Sequence, residues 1–516
     1  MIPLFDKKFI KEADNFAINQ LLIPGILLME NAALNCFNAI NEEHYLEDGI
    51  IGIVCGKGNN GGDGYAIARH FINNGYIVKV IILTSENEID GDALINFKIL
   101  YQLSKNNSNL NIRFYNDIKD IKYLNDCDII IDAILGTGFR GILNEPLSSI
   151  VQSLNQIKAY KVAIDIPTGL DVDNGFGDPI FKADLTITLG DYKSGLFYGK
   201  GAINCGKIIK EDIGLDKSYF DMLNTDTYLI EPEDVLEYLP KRNIDANKYS
   251  SGRVLVIGSS MKYPGAGVLC SNSALLSGAG ATSIAIPKNL MSIIFPKLYE
   301  TTIKLFENDD FFDVEAVSLL HSEIGKTDVI ALGCGLDRNS ETIEACGKLL
   351  NEYHDKRIVV DADGIFCLVK FGLDKLNLEN CVFTPHLGEF SILTNISTIE
   401  LQRNLLYFGR EFVKKTNSYL VLKGAPTIVF LPNGEAFINS SGNNGMAKFG
   451  MGDVLTGIIA SFIAQSDDIE RSLISAVYLH SLSADILEKE KTEYGYTATE
   501  VAENIPRTIK FLRGSV

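Results

Sequence analysis

Residues 50–83 read IIGIVCGKGNNGGDGYAIARHFINNGYIVKVIIL. The apolar run IIGIVC (50–55) predicts a buried strand that stops at a glycine turn. YAIARHFINNG (65–75) spaces its apolar residues as a helix does and ends in Gly75, a C-cap residue. YIVKVIIL (76–83) predicts a second strand. Strand, glycine turn, helix and strand make a βαβ unit, and this unit sets the fold class of the first half as α/β.

The turn Gly56-Lys57-Gly58-Asn59-Asn60-Gly61 satisfies the G-x-G-x-x-G pattern of dinucleotide binding. A dehydrogenase turn also needs an acid at the end of the second strand, roughly 20 residues on, for the ribose hydroxyls. Here the region is VKVIILTSE, and Glu86 comes too late. Asn59, Asn60 and Asp63 make the turn unusually polar. Its glycines still suit phosphate at a helix N-terminus. The plain structural reading of Asp63 is an N-cap for a helix starting at Gly64.

CDIIIDAIL (127–135), KVAIDIP (161–167) and ADLTITLG (183–190) continue the strand series. Around 214–234 the pattern loosens, and 217–230 are assigned as a linker between domains 1–216 and 231–516. A second series follows: GRVLVIGSS (252–260), ATSIAIP (281–287), DVIALGCG (328–335), KRIVVDADG (356–364), NCVFTP (380–385) and SYLVLKG (418–424). TIVFLPNGEAFIN (427–439) reads as a hairpin around Pro-Asn-Gly. DVLTGIIASFIAQ (453–465) reads as the last long helix, opening at Asp453.

The 516 residues carry a net charge of −19, which disfavours nucleic acid and anionic membrane as partners. The nine cysteines include no C-x-x-C pair, so buried free thiols in a reducing compartment are expected. No uncharged run reaches transmembrane length, and the charged N-terminus lacks the apolar core of a signal peptide. A cytoplasmic protein, forming a homo-oligomer, is the expectation.

Polar loops collect at the strand carboxyl ends, where open α/β sheets bind ligands. In the first half they are Asn59 to Asp63, Asp132 with GTGFRG (136–141), and DIPTG (165–169) with Asp171 and Asp173. Singly, each acid reads as a cap or turn residue; together they read as a site. In the second half, NNGMAKFGMGDVLTG (443–457) joins a glycine turn to a helix start. Amides of Gly450 to Gly452 would face an anion there, and Asp453 beside them would accept a substrate proton. The plain reading of Asp453 is a helix-start carboxylate. KGAPT (423–427) follows a strand and would cradle a phosphate, and TPHLGE (384–389) holds a loop histidine.

GKGNNGGDGYAIAR, DAILGTGFRG and DIPTGLDVD, with LLMENAA (27–33), resemble the YjeF-type epimerase domain of the NAD(P)H-hydrate repair family. GRVLVIGSS, YPGAG, GAGATSIAIP, LGCGLD, TPHLGE, KGAPT and GMGD resemble that family's ribokinase-like dehydratase domain. The resemblance implies two three-layer αβα domains, Rossmann-like then ribokinase-like. It implies a bifunctional enzyme: epimerisation of R- and S-NAD(P)HX, then nucleotide-dependent dehydration of the S-hydrate to NAD(P)H, with ADP giving AMP and phosphate or with ATP as donor. By resemblance, the epimerase substrate meets Asn59, Asn60, Gly61, Gly62 and Asp63, then Gly136, Thr137, Gly138, Phe139, Arg140, Gly141 and Ile142, and Asp165. Asn60, Asp132 and Thr168 match the potassium ligands, with Thr168 where relatives usually carry Ser. Asp165 is the expected acid–base group. In the dehydratase domain, Ala266, Gly335, His386 and Asp453 line the hydrate site, with Asp453 as base. Lys423, Gly424, Ala425, Pro426, Thr427 and Gly452 bind the adenine nucleotide, with Mg2+. Lys448 and Phe449 depart from the small residues usual before the anion hole, and Gly267 often appears as Ala. The alternatives are a small-alcohol kinase carrying a non-catalytic YjeF-type binding module, and a sensing or scaffold role for the first half.

Overall fold

A computed structural model describes residues 1–215, 219–220, 222–308 and 310–515. The expected domain end at 216 and linker start at 217 lie outside the described residues. The chain divides into two compact units, one built on Pro3–Thr227 and one on Tyr228–Leu401 with Leu405–Val516.

The first unit carries a seven-stranded parallel sheet: β1 (Ile50–Cys55), β2 (Ile77–Ile82), β3 (Leu110–Phe114), β4 (Ile129–Ala133), β5 (Tyr160–Ile164), β6 (Leu185–Leu189) and β7 (Lys207–Glu211). Their order across the sheet is β3-β2-β1-β4-β5-β6-β7. It reverses direction between β1 and β4, where Cys55 pairs with Ala133. That switch point opens a crevice at the strand carboxyl ends. Helices α1 (Lys7–Asn19), α2 (Gly25–Glu43), α3 (Asn59–Asn73), α4 (Gly91–Ser104) and α5 (Leu147–Gln156) complete the unit. Alanine and isoleucine faces of α2 and α3 pack with β1, β2 and β4 in one apolar cluster, and Ile150, Val151 and Leu154 of α5 lie in another.

The second unit repeats the plan with β8 (Arg253–Ile257), β9 (Ala281–Pro287), β10 (Thr302–Phe306), β11 (Val329–Leu332), β12 (Arg357–Val360), β13 (Cys381–Phe383), β14 (Tyr419–Leu422), β15 (Thr427–Phe430) and β16 (Ala436–Asn439). These run in the order β16-β15-β14-β13-β12-β11-β8-β9-β10. All neighbours are parallel except the β14-β15-β16 meander, so the hairpin at Pro432-Asn433-Gly434 stands. The switch point falls between β8 and β11. Helices α6 (Ala266–Leu276), α7 (Ala362–Phe371), α8 (Leu387–Thr394), α9 (Met451–Gln465), α10 (Ile469–Lys491) and α11 (Ala498–Ser515) matter below.

Sequence patterning misplaces several elements. Three of the strands it misses, β3, β7 and β10, are edge strands with mostly exposed or half-buried side chains, and a further one, Thr227–Leu229, falls within the expected linker 217–230. Central strands are buried on both faces and read as continuous apolar runs; edge strands do not. Helix α9 is not the last long helix: α10 has 23 residues and α11 has 18. Helix α9 begins at Met451 rather than Asp453, because Gly450 supplies the left-handed N-cap at φ 91°. Helix α3 begins at Asn59, five residues before the predicted start at Gly64, so Asp63 lies in its second turn and is not an N-cap. NNGGDG is a poor helix former by propensity. Tertiary packing overrides that: a Cβ on Gly61 would stand 2.0 Å from Gly56 O, so only glycine lets the first turn settle on the β1 loop. All nine cysteines are free and buried, as expected. No helix among the described residues is long and apolar enough to cross a membrane.

Candidate active sites

In the first unit, three loops converge at the β1/β4 switch point. Asp132, at the end of β4, is fully buried. Its Oδ1 accepts from Thr168 Oγ1 at 2.7 Å and Ile134 N at 3.1 Å, and its Oδ2 accepts from Thr168 N at 2.7 Å. Burial pushes its carboxyl up to about 6, and these three donors oppose the shift. Thr168 Oγ1 accepts from Leu135 N, which ties the β4 loop to the β5 loop. Asn60 is buried in the first turn of α3, yet neither side-chain polar atom has a partner among the described residues. Orphaned buried amides are costly and call for a ligand. Carboxylate, hydroxyl and amide oxygens together form a hard donor set, which suits an alkali cation.

Asp165 follows β5 in the left-handed region, at φ 67°. A methyl group placed on Gly136 would stand 3.3 Å from Asp165 Oδ2 and 3.5 Å from Asn60 Cβ, so loop, amide and carboxylate meet at one point. Thr137 N donates to Asp165 Oδ2 at 3.4 Å. Asp63 is buried nearby. Burial pushes its carboxyl well above the usual range, and the negative charges of Asp165 and Asp14 push it further. The remaining predicted residues spread outward. Asn59 is exposed at the helix start, and the Gly62 amide is spent on Gly58 O. Gly138, Gly141 and Ile142 are exposed, Phe139 is half-buried, and Arg140 reaches Asp173 at 3.3 Å from a largely exposed position.

Sequence reasoning missed two charged residues here. Lys193 is fully buried, and its ammonium lies 2.6 Å from Asp165 Oδ1. A lysine ending the buried run LTITLGDYK was the available signal. Asp14, on α1, carries a carboxyl pushed up to about 6 by burial and then by Asp165. Nothing local in KEADNF marks it, because α1 comes to the site only through the fold.

In the second unit, Asp453 occupies the first turn of α9, behind Gly450 and Gly452. Burial pushes its carboxyl up to about 7, and Asp361 adds to the shift while Lys423 opposes it. Ligand atoms of Cys334, Asp361 and Asp453 all lie within 4.8 Å of one another. Lys423 Nζ donates to Asp361 Oδ1 at 2.7 Å, and Thr456 Oγ1 donates to Asp361 Oδ2 at 2.9 Å. Burial alone would raise Asp361, but Lys423 and the hydroxyls hold it below the usual carboxylate range. A Cβ on Gly452 would lie 3.1 Å from Lys423 Nζ, so the cation, the helix start and the two acids share one place.

Lys423 N donates to Pro385 O at 2.8 Å, and His386 bridges Lys423, which sets KGAPT beside TPHLGE. Gly424 and Ala425 are exposed; Pro426 and Thr427 are half-buried. His386 caps α8: its Nδ1 accepts from Gly388 N at 3.0 Å and Glu389 N at 3.2 Å. An accepting Nδ1 makes Nε2 the N–H side of the ring, and Nε2 lies 3.5 Å from Glu389 Oε1 in a largely exposed side chain. Gly335, at φ 68°, packs so closely on Tyr263 and Ala266 that a Cβ would stand 2.9 Å from Ala266 Cβ. The two predicted hydrate-site residues are therefore neighbours. Lys448 points its ammonium at the carbonyls of Glu493, Tyr494 and Tyr496, so it clamps the α10–α11 loop. Phe449 stands fully exposed. Asp361 and His480 were not anticipated. His480 is buried with Nε2 unpartnered among the described residues, and burial and then Lys423 push it down to about 4.

A family model described as YjeF-related protein N-terminus matches residues 26–195, and one described as NAD(P)H-hydrate dehydratase matches residues 254–507. The chain is 33% identical to the bifunctional NAD(P)H-hydrate repair enzyme of Moorella thermoacetica, over 98% of this chain and 96% of that protein. The chain belongs to the bifunctional NAD(P)H-hydrate repair enzyme family. The member from Coxiella burnetii is 32% identical over 97% of this chain and 98% of its own. Among solved structures, a ribokinase-like superfamily protein of Enterococcus faecalis is 28% identical, covers 56% of this chain and 98% of its own, and superposes with a TM-score of 0.50. In family terms, Asn60, Asp132, Asp165 and Thr168 lie in the part matched by the YjeF-related model. Asp361, His386, Lys423 and Asp453 lie in the part matched by the dehydratase model.

Proposed function

We propose that this chain repairs hydrated NADH and NADPH, interconverting the R and S hydrates in the first unit and dehydrating the S hydrate in the second. Asp453 carries the dehydratase half of the reading. Its carboxyl, pushed up to about 7, sits at a helix N-terminus facing the Lys423 cation. A base tuned near neutrality takes a hydroxyl proton most effectively. The S-hydrate hydroxyl would lose its proton to Asp453 as its oxygen meets the terminal phosphoryl group of the nucleotide. Amides at the α9 start and Lys423 hold the charge that develops. Loss of phosphate from that carbon, with a proton from its neighbour, restores the ring double bond. With ADP the co-products are AMP and phosphate. Mg2+, bound with the nucleotide, would neutralise the phosphate charge. His386 Nε2–H and the Ala266–Gly335 pair shape the hydrate side, and residues 423–427 with Gly452 the nucleotide side.

In the first unit, Asp165 would take the hydroxyl proton as the bond from the hydroxyl-bearing carbon to the ring nitrogen opens to a carbonyl, with the nitrogen protonated. It would return the proton to the oxygen when the nitrogen loses its own and recloses on the other face. Asn60, Asp132 and Thr168 would hold K+, and the unpartnered Asn60 amide supports this. The ion would supply fixed positive charge for the substrate beside it.

Incubation with the mixed hydrates and ADP, then ATP, tests the whole reading. Reduced-nicotinamide absorbance returns with at least one nucleotide, and both epimers are consumed. A folded sample giving no recovery with either nucleotide overturns the dehydratase, and recovery of only the S fraction overturns the epimerase.

A further inference from the structure

The Lys193 ammonium faces three acceptors: Asp165 Oδ1 at 2.6 Å, Leu189 O at 2.6 Å and Thr188 Oγ1 at 2.9 Å. An ammonium has three protons, so every one is committed. The side chain is wholly removed from solvent. Held by all three bonds, the lysine nitrogen is placed to fix its neighbours rather than to meet a ligand.

Its effect falls on the two oxygens of Asp165. Oδ1 is taken up by Lys193 and by Leu189 N at 3.4 Å. Oδ2 is the oxygen that looks toward Gly136, Thr137 and Asn60. The two faces of this carboxylate are thus divided, one toward the protein and one toward the ligand loop. The backbone supports the same division. Asp165 is held at φ 67° by its own amide, which donates to Ile187 O at 2.7 Å. Asp14 and Asp63 add two further acids to the neighbourhood, and Lys193 is the cation paired with Asp165.

We propose that Lys193 is the positioning residue of the epimerase site, binding Asp165 through Oδ1 so that Oδ2 alone is presented to the substrate hydroxyl. The proposal rests on the epimerase reading of the first unit. Lys193 never touches the reacting carbon; it fixes which oxygen of Asp165 does.

The test uses the full-length chain, with dehydration of purified S-hydrate plus ADP as the control for intact protein. Lys193→Met removes the charge and keeps the length. Expected is a fall of about 100-fold in the kcat of R-to-S conversion, in the range of a lost acid–base group, with KM for the R-hydrate within about threefold. Loss of a purely structural lysine would instead lower kcat and raise KM together. Because Lys193→Met leaves a carboxylate unpaired, the double variant Asp165→Asn, Lys193→Met is measured against Asp165→Asn alone. Residues acting as one unit are non-additive, so the double variant should be no slower than the single one. A Lys193→Met enzyme with wild-type kcat, or a double variant much slower than Asp165→Asn, overturns the proposal. A wild-type chain that dehydrates S-hydrate but never converts R to S overturns the epimerase reading, and this proposal with it.

Discussion

Lys423 donates to Asp361 Oδ1 at 2.7 Å, and Asp361 in turn stands beside Asp453, so the cation pairs with one carboxylate and reaches the other through its field. The nearer acid is held ionised. The farther one is left hungry for a proton near neutrality. Paired titratable groups pushed apart in this way mark acid–base assignments.

Removing the base should separate the two halves. Asp453→Asn is expected to lower dehydration by more than about 100-fold, the scale of a lost acid–base group. Epimerisation should remain at the wild-type rate. Both follow from one sample by resolving the R and S hydrates with and without ADP.

The same carboxyl sets a pH dependence. It works as a base only when ionised, so kcat/KM for dehydration should climb through about pH 7 and level off above it. Stability runs the other way. A carboxyl raised from its ordinary 3.8 to about 7 costs nothing below pH 4, a growing amount between pH 4 and 7, and the full amount above pH 7. Asp453→Asn should therefore raise the melting temperature at pH 8 and leave it unchanged at pH 4, by calorimetry.

Asp361→Asn leaves the partly buried Lys423 ammonium, 18% exposed, without its carboxylate. Breaking one partner of a fully buried pair typically costs about 3–5 kcal/mol. The second unit should lose less than that, read from denaturant midpoints, because water reaches Lys423. Lys423→Met, which leaves Asp361 with Thr456, should also weaken nucleotide binding, read as a higher KM for ADP.

The proposed K+ ligands Asn60, Asp132 and Thr168 predict ion specificity. Epimerisation should be faster in K+ than in Na+ at equal ionic strength. Thr168→Ser keeps the hydroxyl that donates to Asp132 and should retain the rate. Thr168→Val removes it and should slow epimerisation by at least tenfold in K+.

Gly61→Ala adds a methyl group 2.0 Å from Gly56 O. Overpacking costs about 1–3 kcal/mol when side chains can shift, and a backbone oxygen shifts less readily. Expect the first unit to unfold at lower denaturant, with dehydration by the second unit preserved.

The βαβ reading of residues 50–83, the strand series on either side of 214–234 and most polar site loops were legible in the sequence. Strands buried on both faces and glycine turns at their ends leave short-range signals. What needed the fold was anything set by distant neighbours. Edge strands β3, β7 and β10 lack the apolar run because solvent covers part of their surface. The helix through NNGGDG forms against local propensity because the β1 loop leaves room only for glycine. Asp14, Lys193 and Asp361 carry no motif; each matters through a charge brought close from elsewhere in the chain. Motif spacing by itself fixed which loops meet at the two switch points. Burial and charge pairing, which exist only in the folded chain, decided that Asp361 is held ionised while Asp453 is pushed toward neutrality, and which oxygen of Asp165 faces the ligand loop.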